Sequence, residues 1–372
     1  MRKTLLYLLP FCLPLIFIPS FPHEYELPKF LFFVIAVQLL LIVSFKRIYA
    51  QTSFLIHDKT LILVGLFIFI LFTADSVGLD PKISFLGSAS RYQGFVLMMS
   101  IFEYLILMRV YQLEKNVLSK MLIPYIYPLA LALSLITLGQ FFIHSILHIP
   151  LPVYNDRIVA TMGNPNFLGS ILVIELFFIL LYRNDPATRN SKVLFFLFQI
   201  LIFLSLIFTR SESAILGLLF GYLAYAVLLV KSVYKKILLF IFIAVALFFT
   251  VMSLRSNFSI WDNQLRIWPV AAEKILKKPL LGYGQENFQL IYPENLHYVV
   301  DSAHNIFLET GLTGGLPLLI LFLSLIFQSL RMHSPRMRIL LLITLFIAQF
   351  NPISIAHIVL LWYIIGLTPK KT

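Results

Sequence analysis

Apolar runs long enough to cross about 30 Å of hydrocarbon recur along almost the whole chain, and they leave few folds open. Away from water, each run must satisfy its own backbone hydrogen bonds, which a helix does within one segment. The runs lie near residues 4–19, 29–45, 60–74, 94–111, 121–145, 167–182, 193–209, 212–230, 237–254, 303–329, 338–350 and 353–368. The expected fold is all-α: a polytopic membrane protein of about 12 transmembrane helices, with residues 1–372 as a single integral membrane domain. Only 12% of residues are charged, against roughly a quarter in average globular chains, which excludes a soluble domain. The first run follows Arg2-Lys3 but has no small-x-small cleavage site, so a retained span is expected rather than a signal peptide.

The net charge of +12 sits in short clusters between the apolar runs. That is a topogenic pattern rather than a nucleic-acid-binding stripe, so no nucleic acid partner is expected. With a cytoplasmic N-terminus, the inside segments collect 19 of the 29 basic residues, and half of the other ten fall within 255–278. Twelve of the 17 acidic residues then fall outside. Both termini are therefore expected in the cytoplasm, with residues 255–303 as one long periplasmic loop. Glu103 and Glu175 lie within spans, either hydrogen-bonded between helices or functional. Cys12 is the single cysteine, which excludes an intrachain disulfide. No repeat relates the two halves, and the polar residues concentrate after residue 150, unlike an inverted-repeat transporter.

Four outer segments carry an arginine beside turn-forming or small polar residues. They are Gly87-Ser-Ala-Ser-Arg91-Tyr-Gln-Gly94, Asp156-Arg157 through Gly163-Asn164-Pro165-Asn166, Thr209-Arg210-Ser211-Glu212-Ser213, and the long loop with Arg266. Guanidinium stays charged and grips phosphate in bidentate fashion. Gly163 to Asn166 reads as the start of a helix whose free N–H groups favour an anion, and Ser211 reads as an N-cap. Within the loop, Leu265, Trp268, Ala272, Ile275 and Leu276 share one helical face, with Pro269 expected in the first turn. This predicts an amphipathic interfacial helix ended by Lys277-Lys278-Pro279 and followed by a turn at Gly282-Tyr283-Gly284. Next come Asp301, His304, Asn305 and Glu309, with Asp301 and Asn305 expected on one helix face. His304 is a candidate general base or phosphate contact, because imidazole titrates near neutrality. Gly311, Gly314 and Gly315 would let another helix or a lipid chain approach closely. No metal-ligand signature, Walker loop or nucleophile elbow is present, so no metal or cofactor is expected and any diphosphate would be neutralised by arginine and lysine.

The ordered series resembles the O-antigen ligase/polymerase superfamily of bacterial envelope glycan enzymes over roughly residues 85–330. It consists of Arg157…Thr161-Met-Gly-Asn-Pro-Asn-Phe-Leu-Gly169, Thr209-Arg210-Ser211, Arg266-Ile-Trp268…Pro279-Leu-Leu-Gly-Tyr-Gly284 and His304-Asn-Ile-Phe-Leu-Glu309…Gly311-Leu-Thr-Gly314. Ser90-Arg91-Tyr-Gln-Gly94 resembles a further segment of such proteins. The resemblance implies a metal-independent GT-C-type glycosyltransferase of the bacterial cytoplasmic membrane with a periplasmic active site. Its donor would be an undecaprenyl-diphosphate-linked glycan. Its acceptor would be a hydroxyl on lipid A-core, the ligase reading, or on another lipid-linked glycan, the polymerase reading. Carried onto this chain, Arg210 and Arg266 hold the diphosphate with Arg157 and Arg91, and His304 deprotonates the acceptor, with Glu309 as second candidate. Asn305, Asn164 and Asp301 support them. The modest loop and the lack of a soluble C-terminal extension make a protein acceptor the weaker expectation. A lipid-linked glycan flippase would explain the spans, but it would need more charge along a path through the bilayer.

Overall fold

The computed structural model describes residues 2–111, 125–182, 192–230, 259–292 and 300–367, and among these it is helical with no strand. In chain order the main helices are α1 (Arg2–Cys12), α2 (Glu26–Ala50), α3 (Lys59–Ser76), α4 (Pro81–Leu86), α5 (Phe95–Val110), α6 (Tyr127–Phe141), α7 (Pro165–Tyr182) and α8 (Lys192–Thr209). They continue with α9 (Glu212–Leu229), α10 (Ser259–Lys277), α11 (Ile306–Met332), α12 (Pro335–Ile347) and α13 (Ile355–Gly366). Among the described residues, six helical stretches are long and apolar enough to cross a membrane: α2, α3, α6 with its extension to Ile146, α7, α9 and α11. The expected run at 237–254 lies outside the described residues, as does Arg255.

Two helices without a polar face form the inner posts. Every residue of α7 from Leu168 to Tyr182 is buried, as is every residue of α13, the burial expected of helices apolar all round. Phe11 of α1 wedges between them, its ring centroid 5.1 Å from Phe178 and 5.9 Å from Tyr363. One arc of helices, α6–α8–α7–α9–α12, packs in that order, and a second runs α2–α5–α3–α11 with α13 against it. Between α7 and α9 the approach is close: a Cβ on Gly221 would lie 2.2 Å from the Phe177 ring. Around the outside, Ile42, Phe69, Phe196 and Ile320 are at least 60% exposed. So continuous an apolar surface suits hydrocarbon, not water.

Helix α11 is broken where the glycines fall. Gly314 (φ −127°, ψ 19°) and Gly315 (φ 70°, ψ −168°) leave the helical region, and Pro317 follows. The break releases carbonyls that the segment after α10 then uses. Tyr283 N–H donates to Leu312 O (2.8 Å), Gly284 N–H to Thr313 O (3.0 Å), and Leu316 N–H to Pro279 O (2.7 Å). The close approach expected at these glycines is thus made by the backbone of residues 279–284.

Helix α10 ends at Lys277 as expected, but its buried face is turned from the expected one. Gln264, Ile267, Ala271 and Ile275 are buried, whereas Ala272 and Leu276 are exposed. The helix carries two adjoining apolar stripes, and packing on α11 selects the first. Pro269 sits in the interior instead of the first turn, because the helix begins ten residues earlier at Ser259.

Gly315→Ala is expected to destabilise the protein by at least about 2 kcal/mol. A Cβ there combines φ +70° with a 2.4 Å approach to Pro279 O. Gly139→Ala, which has open space around it inside α6, should be neutral or slightly stabilising. Thermal unfolding of both variants in the same detergent checks the contrast.

Candidate functional site

Six helices begin at one end of the bundle around an open, polar cleft of about 690 Å3. Its walls include Glu26 at the start of α2, Ser90 and Arg91 before α5, and Asn164 and Asn166 at the start of α7. They continue with Glu212 and Ser213 at the start of α9, Asp301 and His304 before α11, and Asn351 and Pro352 before α13. Each helix start directs N–H groups and a partial positive charge toward this region. The caps are local. Ser211 accepts from Ala214 N–H (3.3 Å), and Asn305 accepts from Phe307 and Leu308 N–H (3.0 and 3.2 Å). Asn164 accepts from Asn166 N–H at 2.8 Å.

Arg91 is the charge at the centre of this end, and only 7% of it is exposed. Its Nε faces Glu286 Oε1 at 3.5 Å, one terminal nitrogen donates to Gln93 Oε1 (2.9 Å), and the other to the Asp301 carbonyl (3.4 Å). Burial works against the Arg91 charge, but Asp301, Glu286, Glu309 and Glu26 outweigh it and raise the group above its ordinary value. Glu286 is pushed up by burial and drawn back by Arg91 and by the Ser88 N–H that donates to it. The segment carrying Glu286 is anchored by Gln285, whose N–H donates to Asp75 (2.7 Å) and whose amide donates to Gln93 O (2.9 Å).

His304 lines both the cleft and a smaller chamber of about 110 Å3 lined also by Arg91, Glu309, Phe67, Phe322 and Trp362. Burial lowers its imidazole from 6.5 to about 4, with Asp301 opposing and Arg91 adding to the shift. It is therefore neutral at physiological pH. Residues 301–305 are irregular rather than helical, and His304 has φ +52°. Asp301 and Asn305 consequently do not share a helix face; the Asn305 cap starts α11 only at Ile306. Glu309 turns back onto this segment, accepting the Ala303 N–H at 2.7 Å. It lines the smaller chamber and is not part of the cleft wall. Tyr92, Arg210, Glu286 and His304 all hold positive φ, a strain that persists only where the surroundings impose it.

Arg157 also lines the cleft, braced by donations to Asn166 Oδ1 (2.8 Å) and to the Thr209 carbonyl (3.0 Å) at the end of α8. Burial works against its charge, Glu212 supports it and neighbouring Arg210 opposes it. Arg210 and Arg266 are exposed and do not form the wall: Arg210 follows Thr209 in the α8–α9 turn, and Arg266 lies two residues beyond the cleft residue Gln264. The structure thus gathers Arg91, Arg157, Asp301, His304 and Asn164 at the cleft, with Asn305 and Glu309 behind them. It adds residues the sequence reading passed over. Glu286 stands two residues past the Gly282–Gly284 turn, Gln93 stands beside Arg91, and Glu26 and Lys29 head α2. Lys29, fully buried, donates to Tyr25 O (2.8 Å) and Thr161 O (3.0 Å), while Glu26 accepts Ile355 N–H (2.9 Å). A charged pair at the head of an apolar run was the available signal.

From Gln264 an apolar groove of about 480 Å3 leads sideways between α10 and α11, lined by Trp268, Pro269, Ala272, Phe307 and Leu308. An apolar-surfaced helical bundle, with six described helices long and apolar enough to cross a membrane, is the architecture of an integral membrane protein. Residues 194–323 match the family model described as O-Antigen ligase. Over 182 residues the chain is 25% identical to the ComP-specific O-oligosaccharyltransferase of Acinetobacter baylyi, a match covering 44% of this chain and 33% of that protein. The chain thus spans about a third of the length of that relative. Both matches support the O-antigen ligase superfamily, and the family-model match includes Arg210, Arg266, His304 and Glu309.

The lowered His304 value has a consequence for stability. Between pH 4 and 6.5 the unfolded chain holds more protons at this position than the folded one. Stability from His304 is thus complete above pH 6.5 and is lost as pH falls toward 4. Thermal unfolding across that range should fall less steeply in His304→Gln than in the wild type; parallel curves would contradict the assignment.

Proposed function

We propose that the protein transfers a glycan from a polyprenyl-diphosphate donor to an acceptor hydroxyl at the periplasmic face of the bacterial cytoplasmic membrane. The observation that carries this reading is the joining of an arginine-lined polar cleft to an apolar lateral groove through Gln264. A polyprenyl diphosphate has matching parts: an anionic head for the cleft and an isoprenoid tail for the groove. The family match supports glycan transfer as the reaction class.

In this reading Arg91 and Arg157 hold the diphosphate with the helix N-termini of α7 and α9, and Arg210 and Arg266 meet it from the margin. Charge that develops on the leaving diphosphate is stabilised by groups already in place. His304, neutral and directed at the cleft, takes the acceptor proton as the acceptor oxygen attacks the anomeric carbon. A bound diphosphate beside it raises its basicity, so donor binding prepares the base. Glu309 holds the 301–305 turn in shape. The preferred acceptor is a lipid A-core sugar, with undecaprenyl diphosphate as the released carrier. A polymerase passing the glycan to another lipid-linked chain uses the same geometry. A protein hydroxyl is the second reading, in keeping with the similarity to a ComP-specific O-oligosaccharyltransferase. A flippase reading has less support, because the charged groups that line a cavity gather at one end of the bundle.

Purified protein incubated in EDTA with an undecaprenyl-diphosphate glycan and candidate acceptors should release undecaprenyl diphosphate. His304→Ala should reduce release by about 10²–10⁴-fold, and Arg157→Ala should cost more than Arg266→Ala. No release with any acceptor, or an absolute need for a divalent cation, would sink the mechanism. The reverse arginine order would move the diphosphate to the loop. Surface glycans from a deletion strain separate the acceptors: unattached chains indicate a ligase, single attached repeats a polymerase.

A further inference from the structure

Gln38 sits midway along α2, twelve residues from either end, and Glu103 sits near the middle of α5. Gln38 Nε2 donates to Glu103 Oε2 at 2.5 Å. The pair lies on the outside of the bundle, with Gln38 exposed and Glu103 half-buried, and it touches neither the cleft, the chamber nor the groove. Facing hydrocarbon at mid-depth, the amide keeps a carbonyl and one N–H with nothing to bond in lipid, a costly arrangement.

The outward side chains around Gln38 are ordered. Leu31, Ile35, Gln38, Ile42, Phe45 and Tyr49 follow one another at alternating spacings of four and three residues, and all are exposed. This spacing keeps the six side chains along one stripe of α2, with a single polar residue near its centre, a pattern that can serve as the seam of a helix pair.

We propose that this face of α2 docks against α2 of a second copy of the chain. Two copies inserted the same way up are related by an axis along the membrane normal, so α2 meets α2 in parallel and every residue meets its counterpart at equal depth. Gln38 then faces a second Gln38, and a primary amide is both donor and acceptor, so the pair completes both sets of bonds. A second copy supplies a polar group at this depth by symmetry, whereas lipid supplies none. Glu103 steadies each amide from behind. This assembly is independent of the glycan-transfer reading.

The test uses the full chain in liposomes, with Cys12→Ser as background so that one introduced cysteine reports each position. Under mild oxidation Ile42→Cys should form a disulfide-linked dimer, and Phe69→Cys, equally exposed but on α3, should not. Gln38→Leu removes the amide from this face, and its thermal unfolding as a monomer in detergent reports separately any loss from freeing Glu103. The substitution should weaken dimerisation, read by energy transfer on dilution with lipid, by about 3- to 30-fold. The proposal is overturned by a monomer at every protein-to-lipid ratio, by equal cross-linking at Phe69 and Ile42, or by unchanged dimerisation in Gln38→Leu. A cross-link from Ile42→Cys in native membranes to a chain of different mass also overturns it.

Discussion

The break in α11 at Gly314–Gly315 is the constraint on which the site depends. An unbroken helix would spend the Leu312 carbonyl on the Leu316 N–H, while Pro317, which has no N–H, leaves the Thr313 carbonyl free for an outside donor. With the ladder interrupted, those oxygens accept Tyr283 and Gly284 N–H, and the segment after α10 docks on the bundle. Two residues later Glu286 arrives beside Arg91. The break therefore places a carboxylate 3.5 Å from a buried guanidinium, where it joins Asp301, Glu309 and Glu26 in balancing that charge. Removing either partner leaves the other as a buried charge, the expensive outcome in a dry interior.

Charge at this end of the bundle is balanced in layers. Helix N-termini from α2, α5, α7, α9, α11 and α13 supply a positive field, and Arg91 and Arg157 add formal charge to it. Against these stand Glu26, Glu286, Asp301 and Glu309, of which Glu26, Glu286 and Glu309 accept backbone N–H donors. Carboxylates committed to Ile355 and Ala303 act as struts. Among the side chains left facing the cleft, Arg157 is held from behind by Asn166 and the Thr209 carbonyl, a condition for binding a ligand without rebuilding the site.

Much of the helical framework was legible because hydrocarbon allows one solution for a long apolar run. The helix start at Asn164–Pro165 and the Ser211 cap followed from local chemistry, as did the end of α10. The rest was hidden for specific reasons. The α10 sequence carries two apolar stripes, and only contact with α11 decides which is buried. Glu286 and Gln93 look like ordinary turn residues until distant segments bring them to Arg91. His304 reads as a histidine near its usual range, whereas burial takes it to about 4.

Sequence alone determined the helical class, the arginine-bearing segments and the family likeness, because apolar length and residue type are local properties. Tertiary structure decided which arginines form the cleft wall, giving that place to Arg91 and Arg157 while Arg210 and Arg266 remain exposed. It also decided that Glu309 braces the His304 turn. Those outcomes depend on where helix ends converge and on how deeply each charge is desolvated. Both are set by contacts between residues as far apart as Arg91 and Glu286, which no local pattern encodes.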